Sequence, residues 1–176
     1  MHTKIKTEFD ALEKTRLALF SKLDKVDAAK MNVQPNAKSW SVVQVMDHLI
    51  IAETNSLRYM KKKLSVNAEM KKADYKTKIR LFILKAALIL PLKYKAPKIV
   101  ADAKNDKNYA ESKAAWSEVR NDMNDFLEKF PEALLDSELF KHPLAGKFTV
   151  VQAINFMRTH LEHHLKQVDR ILKSLD

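Results

Sequence analysis

The stretch 148-FTVVQAINFMRTHLEHHLKQ-167 opens in the same way as 40-WSVVQVMDHLIIAE-53: an aromatic residue, a hydroxyl residue, two valines and a glutamine. Ser41 with Gln44, and Thr149 with Gln152, fit the capping box. In that motif the hydroxyl accepts from a free backbone N–H and the glutamine three residues later reaches back. Each pair marks a helix start, and a marked start sets the phase of everything downstream. Four of the six histidines, His48, His160, His163 and His164, stand on these two helices.

On the last helix, Val150, Ile154, Met157, Leu161, Leu165, Val168 and Leu172 cluster around one direction at about 100° per residue. His164 falls roughly 40° from that centre and His160 roughly 80°, on the same side. His163 falls about 140° away and is expected to face water. Gln167 lies near the edge that carries His160 and His164. On the earlier helix Val42, Val45, Leu49, Ala52, Ser56 and Met60 form the inward stripe, and His48 flanks it at roughly 100°. If the two helices pack side by side, one imidazole meets two. Neutral imidazole suits borderline cations such as Zn²⁺, Ni²⁺ and Fe²⁺. Three protein ligands also leave positions open for water or substrate. Spacing alone leaves two readings standing: one shared metal site, or His48 and the HLEHH cluster as separate surface features.

The remaining chain reads as helix. It has 176 residues, one glycine and five prolines, with a composition rich in Leu, Lys, Ala and Glu, which favours helix. Periodicity predicts helices over about 3–28, 42–65, 74–91, 107–130 and 150–174. The first carries Ile5, Phe9, Leu12, Leu19, Leu23 and Val26 at helical spacing, and the fourth carries Trp116, Val119, Met123, Phe126, Leu127 and Phe130. Nothing suggests strands. The expected fold is all-α: a four-helix bundle, one domain over 1–176, with the short apolar segment 74–91 as an extra helix between the second and third core helices.

With no cysteine, disulfides, thiolate ligands and a Cys nucleophile are excluded. The net charge is +10, but the lysines are scattered, without arginine clusters or interleaved aromatics, so the charge reads as a solvated surface and no nucleic-acid partner is expected. The run 81-LFILKAALILPLKYKAP-97 is interrupted by Lys85 and ended by Pro91, short of the roughly 20 apolar residues of a membrane span. A core helix or a subunit interface, hence a possible homodimer, is the expected use. The charged N-terminus MHTKIKTEFDALEK has no signal-type apolar core, which points to the cytoplasm.

The motifs W-S-V-V-Q-V-M-D-H, H-P-L-A-G-K-F-T and H-L-E-H-H-L-K-Q-V-x-R-I, in that order, resemble the DinB/YfiT-like superfamily of four-helix bundles. The resemblance covers nearly the whole chain and implies a divalent metal held by His48, His160 and His164. It further implies metal-dependent chemistry. Characterised relatives include transferases and isomerases that use a low-molecular-weight thiol such as bacillithiol, mycothiol or glutathione. A thiol from outside the chain suits a sequence without cysteine. The function expected is therefore that of a divalent-metal-dependent enzyme, with Zn, Ni or Fe as the ion. It would be a low-molecular-weight-thiol S-transferase or a hydrolase acting on a small electrophilic molecule. The alternative is a non-enzymatic, metal-binding or stress-related helical interaction module, dimeric through 79–92.

Glu53 lies on the inward side of its helix, where a lone carboxylate is costly. It is a candidate catalytic base or ligand-orienting group, with an ion pair to a cation such as Arg120 as the structural alternative. Gln44 reads first as a cap. His142, before Pro143 and ahead of Gly146, reads as turn architecture, and Tyr59 and Tyr94 as packing.

Overall fold

The computed structural model describes residues 1–66, 70–89 and 103–175. Five α-helices are described there: α1 (Thr3–Leu23), α2 (Val42–Ser65), α3 (Tyr75–Ile89), α4 (Tyr109–Glu128) and α5 (Val150–Ser174). Tyr94 and the expected helix stop at Pro91 lie outside the described residues. Both repeated capping boxes form. Ser41 Oγ accepts from Gln44 N–H at 3.1 Å while Gln44 Oε1 accepts from Ser41 N–H at 3.0 Å. Thr149 and Gln152 do the same at 3.2 and 3.0 Å. A third box, Asn108 with Glu111, starts α4.

α1 packs along α5, α2 along both α4 and α5, and α3 lies on α5. The fold is a four-helix bundle with one additional helix against its side. The inward stripes form one core, with Leu12, Leu49, Trp116, Met123 and Leu161 all fully buried. α1 ends earlier than its apolar period suggests; the chain turns at Asp24 and makes a short 3₁₀ turn over Ala28–Lys30.

The expectation of no strands is corrected by a small hairpin. β1 (Phe140–His142) and β2 (Gly146–Phe148) pair antiparallel, with Phe140 opposite Phe148 and His142 opposite Gly146. Each strand is three residues long, too short for an alternating pattern to register in the sequence. Gly146, the first residue of β2, takes φ 85°, a left-handed conformation that glycine adopts without a Cβ clash. His142 Nδ1 accepts from the N–H groups of Leu144 and Ala145, so the imidazole holds the turn. The hairpin packs against α2, α3 and α5.

Candidate metal centre

α2 presents His48 and α5 presents His160 and His164, and their ring nitrogens converge. His48 Nε2 lies 3.3 Å from His160 Nε2, and His164 Nε2 lies 3.1 Å from it. The three ligand atoms all fall within 4.8 Å of one another. His48 and His164 are buried. The structure brings these three histidines together.

Around them the chain sets both orientation and charge. His164 donates its Nδ1–H to the Gln167 side-chain oxygen at 2.8 Å, which leaves Nε2 with a lone pair directed at its neighbours. Trp40 stands 5.1 Å from the His48 ring, and Phe156 stacks on His160 at 5.6 Å and 15°. Burial keeps the two rings of α5 neutral: His164 is pushed down to about 3, mainly by burial and then by His48. His160 is pushed well below its ordinary value, by burial first and then by His164 and His48.

This arrangement fits a cation. His164 Nε2 can only accept, so a single N–H on His160 would have to serve both neighbours at once; a bound cation accepts lone pairs from all three. At metal–nitrogen distances of about 2.0–2.1 Å, tetrahedral angles place ligand nitrogens about 3.3 Å apart and right angles about 2.9 Å apart. The 3.1 and 3.3 Å separations to His160 fall within that range, and the three ligand atoms lie within 4.8 Å of one another, so small side-chain rotations would close the set on a cation.

The other expected residues go elsewhere. His163 does not face water: it is half-buried and donates Nδ1–H to the Leu88 carbonyl at 2.6 Å, because α3 covers that side of α5. It stays out of the converging group. Glu53 is buried, and its two oxygens are taken by Arg120, at 2.8 and 2.7 Å, and by Trp116 Nε1 at 2.8 Å. Gln44 caps α2 and also donates to the Ala103 carbonyl. His142 contacts Phe156 at 4.7 Å between ring centroids. Two contributors escaped the sequence reading. Phe156 lies four residues before His160, a spacing that places it on the same edge. Asp47, buried beside His48, accepts from Lys104 N–H and Lys107 Nζ at 2.9 and 3.0 Å and ties the start of the α4 approach to α2.

Residues 11–168 match the DinB superfamily. This chain belongs to the DinB superfamily. Its relatives include the uncharacterized protein YuaE of Bacillus subtilis, 26% identical over 161 residues that make up 92% of this chain and 94% of YuaE. Among solved structures, YfiT from Bacillus subtilis superposes with a TM-score of 0.62 at 18% identity, over 99% of this chain and 90% of YfiT. YfiT is described as a probable metal-dependent hydrolase with an unusual four-helix bundle topology. TT2238, a four-helix bundle protein, superposes with a TM-score of 0.60 at 16% identity, over 94% of this chain and 98% of its own. Among the described residues, no helix is long and apolar enough to cross a membrane.

The neutral buried rings give the cation-free protein a defined acid sensitivity. His142 is pushed down to about 4 by burial, and His164 to about 3, from an ordinary 6.5. Between those values the unfolded chain binds the protons and the folded chain does not, so stability is full above pH 6.5 and falls as pH drops through the window. The His164 ring should contribute about 1.4 kcal/mol per pH unit, and the more exposed His142 less, because water screens it. Urea melts of chelator-treated protein should show the midpoint falling from pH 6.5 toward about 4; a flat profile would contradict the buried neutral rings.

Proposed function

We propose that His48, His160 and His164 together hold one divalent cation and that the chain is a metal-dependent enzyme acting on a small electrophilic molecule. The observation that carries this reading is the gathering of three imidazole ring nitrogens within 4.8 Å of one another, with the His164 Nδ1–H directed at Gln167. When bound, the cation supplies Lewis-acid activation, lowering the pKa of a water or thiol held beside it. The chain supplies the rest. Three ligands leave coordination positions open. Trp40 and Phe156 wall the imidazoles with apolar surface and limit water. With no cysteine in the sequence, the nucleophile is a water, which gives a hydrolase, or a low-molecular-weight thiol, which gives an S-transferase. The description of YfiT as a probable metal-dependent hydrolase favours testing water first. Glu53, saturated by Arg120 and Trp116, holds the bundle in this reading and takes no proton.

The test begins with chelator-stripped protein, reloaded with Zn²⁺, Ni²⁺ or Fe²⁺ singly. Bound metal is read by mass spectrometry, and each loaded form is then assayed for ester and amide hydrolysis and for conjugation of a thiol to an alkylating electrophile. About one equivalent of metal with ion-dependent turnover supports the proposal; no retained ion sinks it. Gln167→Leu should weaken metal affinity about 10–100-fold, the range for an outer partner that orients a ligand imidazole. Unchanged affinity in that variant would remove Gln167 from the centre.

A further inference from the structure

α3 is apolar on two sides. Its inner side, Leu81, Leu84 and Leu88, packs against the core. It is held firmly: the chain just before it pairs with 136–138 through Ala73 N–H to Asp136 O and Glu138 N–H to Lys71 O. Lys85 Nζ bonds Asn155, and Leu88 O accepts from His163. The outer side is nonetheless exposed, with Tyr75 at 68%, Ile79 at 50%, Phe82 at 74% and Ile83 at 61%. These four side chains fall within about 100° of arc. Lys78 flanks the stripe on one side and Lys76 on the other, and Lys71 and Lys72 lie exposed just ahead of the helix.

The charge decides what covers this stripe. Residues 70–89 carry six basic side chains, Lys71, Lys72, Lys76, Lys78, Arg80 and Lys85, and a single acid, Asp74. Asp74 is engaged as the cap of α3, accepting from Lys76 N–H at 2.9 Å. A second copy docking by two-fold symmetry would set the same patch against itself. Lysine would then meet lysine around the apolar stripe, six basic side chains against Asp74 and, beside Ala73, the exposed Asp136. A surface that is apolar below and anionic at its boundary meets both features: rings and aliphatic groups enter the acyl boundary while lysine stems reach out to the headgroups.

We infer that the outer face of α3 binds reversibly to anionic lipid bilayer surfaces, lying in the plane of the interface without crossing it. The face is separate from the three-histidine group and does not depend on the reading given to it.

The full chain is sedimented with phosphatidylglycerol-containing vesicles and with pure phosphatidylcholine vesicles, at low and high salt. The wild type is expected to co-sediment with the anionic vesicles alone, and salt is expected to release it. Phe82→Ser with Ile83→Ser, and separately Lys76→Gln with Lys78→Gln, should each lower the partition coefficient at least about tenfold. Circular dichroism checks that both variants keep their helices, as exposed positions should. Wild type that stays in the supernatant overturns the inference. So does undiminished binding by either folded variant. A vesicle-indifferent dimer that Phe82→Ser with Ile83→Ser converts to monomer would assign the face to a second copy instead.

Discussion

His164→Ala is expected to lower divalent-metal affinity by more than about 100-fold, beyond the 10–100-fold typical of losing an outer partner, while the helices remain. The ring it removes supplies one of three converging nitrogens and is the one whose tautomer Gln167 fixes. Two imidazoles would remain, and His160 would keep its 3.3 Å approach to His48, but two ligands hold a borderline cation far less well than three. The fold should tolerate the change. A ring held neutral by burial, its pKa pushed down to about 3, costs stability in acid, so its loss should flatten the acid end of the cation-free urea profile. Metal content after dialysis against a limiting ion reads the first effect, and circular dichroism with urea melts reads the second. His163→Ala is the matched control. It removes a neighbouring imidazole bonded to Leu88 and should leave metal content intact while loosening α3. Full retention of metal by His164→Ala would show that the cation is held elsewhere; loss in both variants would show only that α5 had been disturbed.

The contrast between His163 and His164 also shows how far the sequence reaches. Angular phase on a capped helix places His164, and not His163, on the edge that lies near His48, because a capping box sets where the helix begins and 3.6 residues per turn does the rest. Phase says nothing about what packs on the far side of the helix. α3 covers His163, and that contact depends on a crossing between elements that no local pattern reports. The hairpin over 140–148 was hidden for a different reason: strands of three residues carry no period, and His142 stabilises its turn by accepting two backbone N–H groups, a role visible only in three dimensions. Phe156 was within reach, since its place four residues before His160 puts it on the same edge. Asp47 was not. Its value lies in reaching Lys104 and Lys107, some sixty residues on.

Arg120→Leu should be the most destabilising single change in the bundle, by about 3–5 kcal/mol. Arg120 and Glu53 are both almost completely buried, and the guanidinium meets the carboxylate through Nε and Nη2. Its third nitrogen reaches Glu13 at 2.9 Å, which is also bound by Arg16, so one arginine joins α1, α2 and α4. Removing it leaves Glu53 as a carboxylate in the core with only the Trp116 N–H as partner, and desolvation of an unpaired charge is the largest penalty available there. Glu13 keeps Arg16 and some exposure to water, so the loss should concentrate at Glu53. Replacing both residues, Glu53→Leu with Arg120→Leu, should therefore recover much of the stability, because no charge is then left alone. Urea unfolding of the two single variants and the double variant measures this coupling. A double variant as unstable as the sum of the singles would mean that the two side chains act as independent packing units. The same proteins bear on the chemistry. If Glu53 serves the bundle alone, Glu53→Gln keeps both metal and turnover wherever it folds. Retained metal with lost turnover would return Glu53 to the reaction as its base.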